Sequence, residues 1–441
     1  MTKRKATSGK SRLPRREGEG AFTLATFFGG RPEDGGGYVH KTGVLRVLQR
    51  MKGPEFTVIV IANDEQALKV VREMGLQAVV HRRSLWVRFL GALSATGVVK
   101  RFFGATLGPI LSPVDRLLTR LSVDLVFFSE PDGRARQLYA HSYIFSIWDL
   151  AYIEYPEFPE VSFFGEFERR DKLYRETARK AVAVIADSSH TRALISQAYG
   201  VPISRIYAAP FLLASSVVSF REDERIAEEI REKYGLSEHY IFYPAQFWLH
   251  KNHRYILFAL RLMLDQSGWA PQAVFCGSDK GALASILALA KHLRVAHLVN
   301  YCGFVGSDEI PYLYAGALAL VMPTYFGPNN IPPMEAMSLG VPVCYSEFSA
   351  FKEVMGDSVY YINLEDPASL ASALASIRAK GQRLRKLTNL SSERCDDAAS
   401  GRYMSTLWEV ITQYMIHTGA ACSKGADGRP VGILRSQTNC E

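Results

Sequence analysis

The sequence predicts an α/β protein built from two doubly wound parallel sheets in series, and three observations carry that expectation. Short apolar runs without polar alternation recur along the chain, as in parallel strands covered on both faces. They alternate with helical patterns, the mark of a strand–helix repeat. The series stops at a highly charged helical stretch, residues 221–236 (REDERIAEEIREKYGL), and then begins again.

The first series of strands reads AFTLATFF from Ala21, FTVIVIAN from Phe56, QAVVH from Gln77, DLVFFS from Asp124, YIFSIWD from Tyr143 and AVAVIADS from Ala181. The second reads YIFYPAQF from Tyr240, QAVFCG from Gln272, LVNYCG from Leu298, LALVMP from Leu318 and VPVCYS from Val341. With 441 residues, 48% hydrophobic and 22% charged, the chain has length for two cores. The expected division is a first domain at 21–215, a linker and helix at 216–237, a second domain at 238–397 and a crossover helix at 398–417. Residues 1–20 and 418–441 lack periodic apolar positions and read as disordered tails.

The net charge of +8 is uneven: residues 1–20 carry +5 (seven Lys/Arg, two Glu), residues 81–120 carry +6 (seven Lys/Arg, one Asp), and the remainder carries −3. No recognition motif or aromatic-interleaved basic stripe accompanies the basic tail, so nucleic acid is not an expected partner. No continuous apolar stretch reaches the roughly 20 residues of a membrane span, and no apolar segment follows the basic start. A cytoplasmic chain is expected. The six cysteines form no CxxC or Cys/His cluster, which gives no sign of a zinc site or a disulfide framework.

Two segments concentrate the chemistry. In 326–342 (FGPNNIPPMEAMSLGVP), Pro332 and Pro333 pre-set a first helical turn, Asn329 or Asn330 is placed to cap it, Glu335 is expected in that turn, and Gly340 ends the helix. Its N-terminus would leave the carboxyl end of the strand LALVMP, where doubly wound sheets bind ligands and free backbone N–H groups suit a phosphate. In 243–253 (YPAQFWLHKNH), a strand leads into a turn with His250, Lys251 and His253, and the lysine is placed to reach a phosphate at the same end of the sheet. Taken singly, Glu335 equally complements a helix dipole and Lys251 equally sits in solvent.

Together these segments resemble the retaining GT-B glycosyltransferases of the glycogen-synthase and bacterial mannosyltransferase group, family four in the sequence classification. The resemblance extends over most of 238–375 and includes Gly277 in GSDKG, Gly303 in YCGFV, and Glu353 and Gly356 in SAFKEVMGD. It implies two Rossmann-like domains facing each other across a cleft, with Lys251 and Glu335 as catalytic-site residues. Two positions depart from the family pattern: Gln246 stands where an arginine is common, and Gly327 where the first of two glutamates is common. FGPNNIPPMEA resembles a subgroup variant in which Asn329 and Asn330, with the backbone from Gly327 to Ile331, would hold donor sugar or phosphate.

In the first domain, 35–51 (GGGYVHKTGVLRVLQRM) resembles the family's glycine-rich loop and helix, which would bring Gly36 and Gly37 to the donor phosphates; glycines there equally serve a plain turn, and that reading stays open. In 146–160 (SIWDLAYIEYPEFPE), Asp149 follows a strand where relatives present His-Asp to the sugars; the histidine is Trp148 here, and a turn or cap role for Asp149 stays open. In 186–195 (ADSSHTRALI), the serines read as a helix cap. Glu130-Pro131-Asp132-Gly133 superficially suggests an acidic metal motif, but Pro-Asp-Gly is a turn signal.

The resemblance implies transfer of a hexose or mannose-like sugar from a nucleotide-diphosphate donor to a glycan or lipid-linked acceptor, with retained anomeric configuration and no metal or other cofactor. Bacterial surface polysaccharide assembly is the implied setting. Residues 81–121 mix bulky apolar side chains with Arg and Lys and suggest contact with an anionic membrane, against the plainer reading of a helical insert with a basic solvated face. The alternatives left open are a silent partner subunit, a phosphorylase and a nucleotide-sugar epimerase. A dinucleotide dehydrogenase is disfavoured, because no strand is followed by GxGxxG with an acid about 20 residues on.

Overall fold

In the computed structural model, residues 21–81, 112–327, 331–380 and 392–419 are described. The first sheet contains β1 (Phe22–Phe28), β2 (Phe56–Ala62), β3 (Gln77–Val80), β4 (Leu125–Phe128), β5 (Ser142–Ile147), β6 (Ala183–Ala186) and β7 (Ile206–Ala208). They lie side by side in the order β3-β2-β1-β4-β5-β6-β7. The second contains β8 (Tyr240–Pro244), β9 (Gln272–Cys276), β10 (Val299–Tyr301), β11 (Ala319–Met322), β12 (Val343–Ser346) and β13 (Tyr360–Ile362), ordered β10-β9-β8-β11-β12-β13. Pairings within both sheets are parallel.

Burial explains the unbroken apolar runs. Leu24, Val58, Val60, Leu125 and Ile144 of the first sheet are fully buried, as are Phe242, Val274, Leu320 and Cys344 of the second. The strands that the apolar pattern did not announce, β7 and β13, are three-residue edge strands whose outer neighbours are solvent or helix. Such strands bury too little side chain to leave a run.

Each sheet reverses its strand order once, between β1 and β4 and between β8 and β11. At these reversal points the loops leaving the carboxyl ends diverge and open a crevice. The glycine-rich segment follows β1, while Gln246–Lys251 and Phe326–Ile331 follow β8 and β11. The helix Ser392–Thr418 returns to the first domain, where Tyr403, Leu407, Val410 and Ile411 join the core formed by Leu24, Val44, Leu48 and Val58.

Two glycines are fixed by geometry. Gly277 has φ +134°, and a Cβ there would lie 2.7 Å from the Ala245 carbonyl oxygen; its own N–H donates to the Gly303 carbonyl at 2.8 Å. Gly35 has φ +74° at the head of the helix Gly36–Met51. We expect Gly277→Ala to destabilise the protein by about 2 kcal/mol or more, as strained backbone and overpacking do. Thermal unfolding of the variant checks it, and an unchanged melting temperature would show that the turn relaxes freely.

Candidate functional site

The loops at the two reversal points meet across the cleft. Gly36 and Gly37 open the helix Gly36–Met51, and Ile331 opens the helix Ile331–Ser338. The two N-termini approach closely: a Cβ on Gly36 would lie 3.7 Å from Ile331 Cδ1, and one on Gly37 would lie 3.2 Å from the Trp148 ring. The positive ends of two helices therefore lie beside each other, an arrangement that an anion stabilises. The Ile331 side chain packs with Phe211 and Leu213.

Lys251 stands at the end of the short 3-10 turn Leu249–Lys251. The residue keeps partial surface, but its ammonium is surrounded by protein. Desolvation draws its pKa down to about 8, against the opposing pull of Asp149 and Glu160. Its side chain has no hydrogen-bond or ion-pair partner among the described residues, so it is a desolvated cation on which Asp149 and Glu160 act only through space.

Asp149 follows β5. One carboxylate oxygen accepts from the Ala151 N–H at 3.0 Å and from Arg170 at 3.3 Å. It therefore caps a turn and also places negative charge near Lys251. Gln246 bridges the domains: its Nε2 donates to the Glu33 carbonyl at 3.2 Å, and its Oε1 accepts from Trp248 at 3.0 Å. Gly277 holds the adjoining turn, and Gly327 lies at the cleft with φ +151°. Asn329 and Asn330 lie outside the described residues.

Glu335 departs from the sequence expectation in position. The helix begins at Ile331, so Glu335 falls in its second turn, not its first. It is only 6% exposed and turns inward, accepting from the Tyr314 hydroxyl at 2.9 Å and more loosely from the Ala214 N–H at 3.4 Å. Burial lifts its pKa to about 7, against the lowering effect of those two donors. A dipole-complementing surface carboxylate would stay wet and keep its ordinary pKa; this one does neither.

Several cross-cleft contacts escape sequence reasoning because the partners are far apart in the chain. Glu160, in the turn helix Pro159–Ser162, accepts from the backbone N–H of His250 at 2.9 Å and is bonded to its Nδ1 at 2.6 Å. The His250 ring stacks on Phe326 at 4.1 Å, and burial draws its pKa down to about 4 even with Glu160 beside it. Glu353 receives the N–H groups of Ser189 and His190 at 2.9 and 3.3 Å, at the start of the helix Ser189–Tyr199 in the opposite domain. Ser188 caps that helix, accepting from the Thr191 N–H at 3.2 Å, and Arg192 is directed to the Ile203 carbonyl. An odd cluster of acidic and aromatic residues in EYPEFPE was the one available signal for Glu160.

The Glu130–Asp132 pair serves ion pairing. Glu130 takes the Lys41 ammonium at 3.0 Å, and Asp132 takes the Arg134 guanidinium. Among the described residues no group of three or more His, Cys, Asp or Glu is arranged to hold a metal ion. Of 81–121, residues 82–111 lie outside the described set; the remainder forms the helix Pro113–Arg120, which buries Val114, Asp115 and Leu118. Among the described residues no helix is long and apolar enough to cross a membrane.

The Glu335 carboxyl ties stability to pH. Its folded pKa lies above its unfolded value, so its favourable contribution is complete at low pH and is lost as pH rises through about 7. The melting temperature of Glu335→Gln relative to wild type is expected to rise between pH 5 and pH 8. A difference that stays constant with pH would mean that the carboxyl is ionised throughout.

Residues 226–393 match the family model described as Glycosyl transferases group 1. Among curated proteins, the chain is 26% identical over 189 residues to O-antigen chain mannosyltransferase B of Escherichia coli, covering 43% of this chain and 49% of that protein. It is 28% identical over 156 residues to O-antigen chain mannosyltransferase RfbU of Salmonella typhimurium, covering 34% and 42%. The chain thus spans less than half the length of these curated relatives. In overall fold it is similar to Anabaena HepE in complex with UDP and glucose, with a TM-score of 0.63 at 15% identity, covering 90% of this chain and 100% of that one. Sucrose-phosphate synthase from Thermosynechococcus elongatus gives a TM-score of 0.64 at 13% identity, over 90% and 100%. Two parallel Rossmann-like sheets face each other here with their reversal points opposed: the chain has the GT-B fold, and its residues 226–393 match the glycosyl transferases group 1 model.

Proposed function

We propose that the protein transfers a hexose, mannose-like in kind, from a nucleotide-diphosphate sugar to a glycan or lipid-linked acceptor with retention of anomeric configuration. The observation that carries the reading is the meeting of two helix N-termini, at Gly36 and Ile331, in a cleft that also holds the desolvated ammonium of Lys251. Three sources of positive potential without a bound carboxylate suit a diphosphate that gains charge as it leaves. The names of the O-antigen mannosyltransferases support a mannose-like sugar and bacterial surface polysaccharide as the setting. The UDP and glucose in the Anabaena structure support a nucleotide-sugar donor.

In this mechanism Lys251 and the N–H groups at the two helix starts take the charge of the departing diphosphate, and no metal is required. Asp149 lies across the cleft, where its carboxylate favours the cationic character of the sugar carbon in the transition state. The acceptor hydroxyl attacks from the face that the diphosphate leaves, and its proton passes to the leaving phosphate oxygen. Glu335 holds the Ile331 helix against Tyr314 and the end of the first domain at Ala214, which helps to set the position of the helix N-terminus.

Lys251→Ala is expected to lower transfer by about 10²-fold or more while leaving the fold intact. Near-normal turnover with the true donor and acceptor would refute the assignment. The charged form of Lys251 is the working one, so kcat/KM for the donor is expected to fall as pH rises past about 8. Lys251→Arg should remove that alkaline limb, and its persistence would assign the titration to another group. Chelation of divalent cations with EDTA is expected to change kcat by less than about twofold, measured on the dialysed protein; a loss reversed by added magnesium or manganese would place a metal in the reaction.

A further inference from the structure

Beside Asp149 lies an open recess walled by residues of both domains. Asp149 and Gly327 belong to its wall, so it is continuous with the place where the sugar carbon reacts. Its chemistry is of a different sign from the Lys251 side. Glu154, Asp187 and Asp149 line it, and Tyr155, Phe326 and Phe348 supply aromatic surface.

The features of the wall that would attract an anion are already taken. The Ser189 and His190 N–H groups at the head of the helix Ser189–Tyr199 donate to Glu353. His190 Nε2 is bonded to Glu154 at 2.7 Å, and Arg170, behind Asp149, is shared between Asp149 and Glu166. An entering phosphate or carboxylate would meet three carboxylates with no uncommitted cation among these groups, and like charges in a partly desolvated site repel strongly. Hydroxyl groups face the opposite situation: carboxylates accept their hydrogen bonds, and the aromatic faces cover the apolar side of a ring.

Resting on the function proposed above, we propose that this recess is the acceptor subsite and that the unit entering it is a sugar ring bearing no phosphate or carboxylate. The division of charge across the cleft then separates the substrates. The diphosphate is held on the Lys251 side, and the acidic wall turns away acceptors that resemble it. Glu154 is the specificity-determining residue that the geometry singles out, because it reaches the recess from the four-residue helix Ala151–Glu154 without belonging to either core.

The test uses the full chain with saturating UDP or GDP and reads saturation-transfer NMR from a panel of methyl glycosides: α-mannoside, β-glucoside, β-galactoside and N-acetylglucosaminide, each with its 6-phosphate. At least one neutral glycoside is expected to give ring-proton signals, with its 6-phosphate at least tenfold weaker. Glu154→Ala should weaken the neutral signal at least tenfold, and Glu154→Lys should raise that of the phosphate. The thermal shift given by UDP or GDP should be the same in both variants as in wild type. Equal signals from the phosphorylated and neutral sugars, no signal from any neutral sugar, or indifference to Glu154 would each overturn the proposal. An absent thermal shift with every nucleoside diphosphate would instead overturn the donor reading, so the two failures are distinguishable.

Discussion

The geometry of the cleft depends above all on how Glu160 grips His250. One carboxylate meets both the ring and the backbone N–H of a residue in the other domain, and the ring is backed by Phe326. A buried neutral imidazole that accepts no charge of its own makes this a hydrogen-bonded clasp, not an ion pair, and a clasp of that kind is little weakened by salt. Because Lys251 is the next residue, the same contact anchors the turn that carries it. Phe158 and Tyr155 add ring contacts to Phe326 at 5.3 Å each, so the clasp sits inside an apolar seam.

Much of the fold was legible in the sequence because parallel strands buried on both faces leave continuous apolar runs. Phe22–Phe28 and Phe56–Ala62 are plain examples, and their pairing is in register along the whole of both strands. The edge strands Ile206–Ala208 and Tyr360–Ile362 were not legible, for they are short and only partly covered. In the site, the local pieces were readable: the turn that carries Lys251, the glycines at the head of the first helix, and the serine cap at Ser188. Glu335 illustrates the limit. Its residue type and spacing were visible, but whether its carboxylate faced solvent or Tyr314 depended on the exact start of the helix, which a pattern of prolines does not fix. Contacts such as Glu353 to the Ser189 helix and Glu160 to His250 join residues 164 and 90 positions apart; no local periodicity records them.

The substitutions at Gln246 and Gly327 acquire a physical sense in the assembled cleft. Gln246 spends its amide on the Glu33 carbonyl and its oxygen on Trp248, so the position works as a neutral brace between the domains, leaving Lys251 as the desolvated cation of that turn. Gly327, with φ +151°, lets the chain pass close to the opposite wall, in a conformation that a residue with a side chain adopts only with strain. These two positions therefore bring no formal charge of either sign to the cleft.

The returning helix Ser392–Thr418 changes what kind of motion the two domains can have. The chain crosses between them once near Ala214 and again through this helix, whose Tyr403, Leu407 and Ile411 are locked into the first core. The two crossings lie side by side, for the short helix Ser215–Val218 packs against Ser392–Thr418, and sliding of one domain past the other would have to unseat buried side chains. Opening the cleft would have to break the hydrogen bonds of Glu353 to the head of the Ser189 helix.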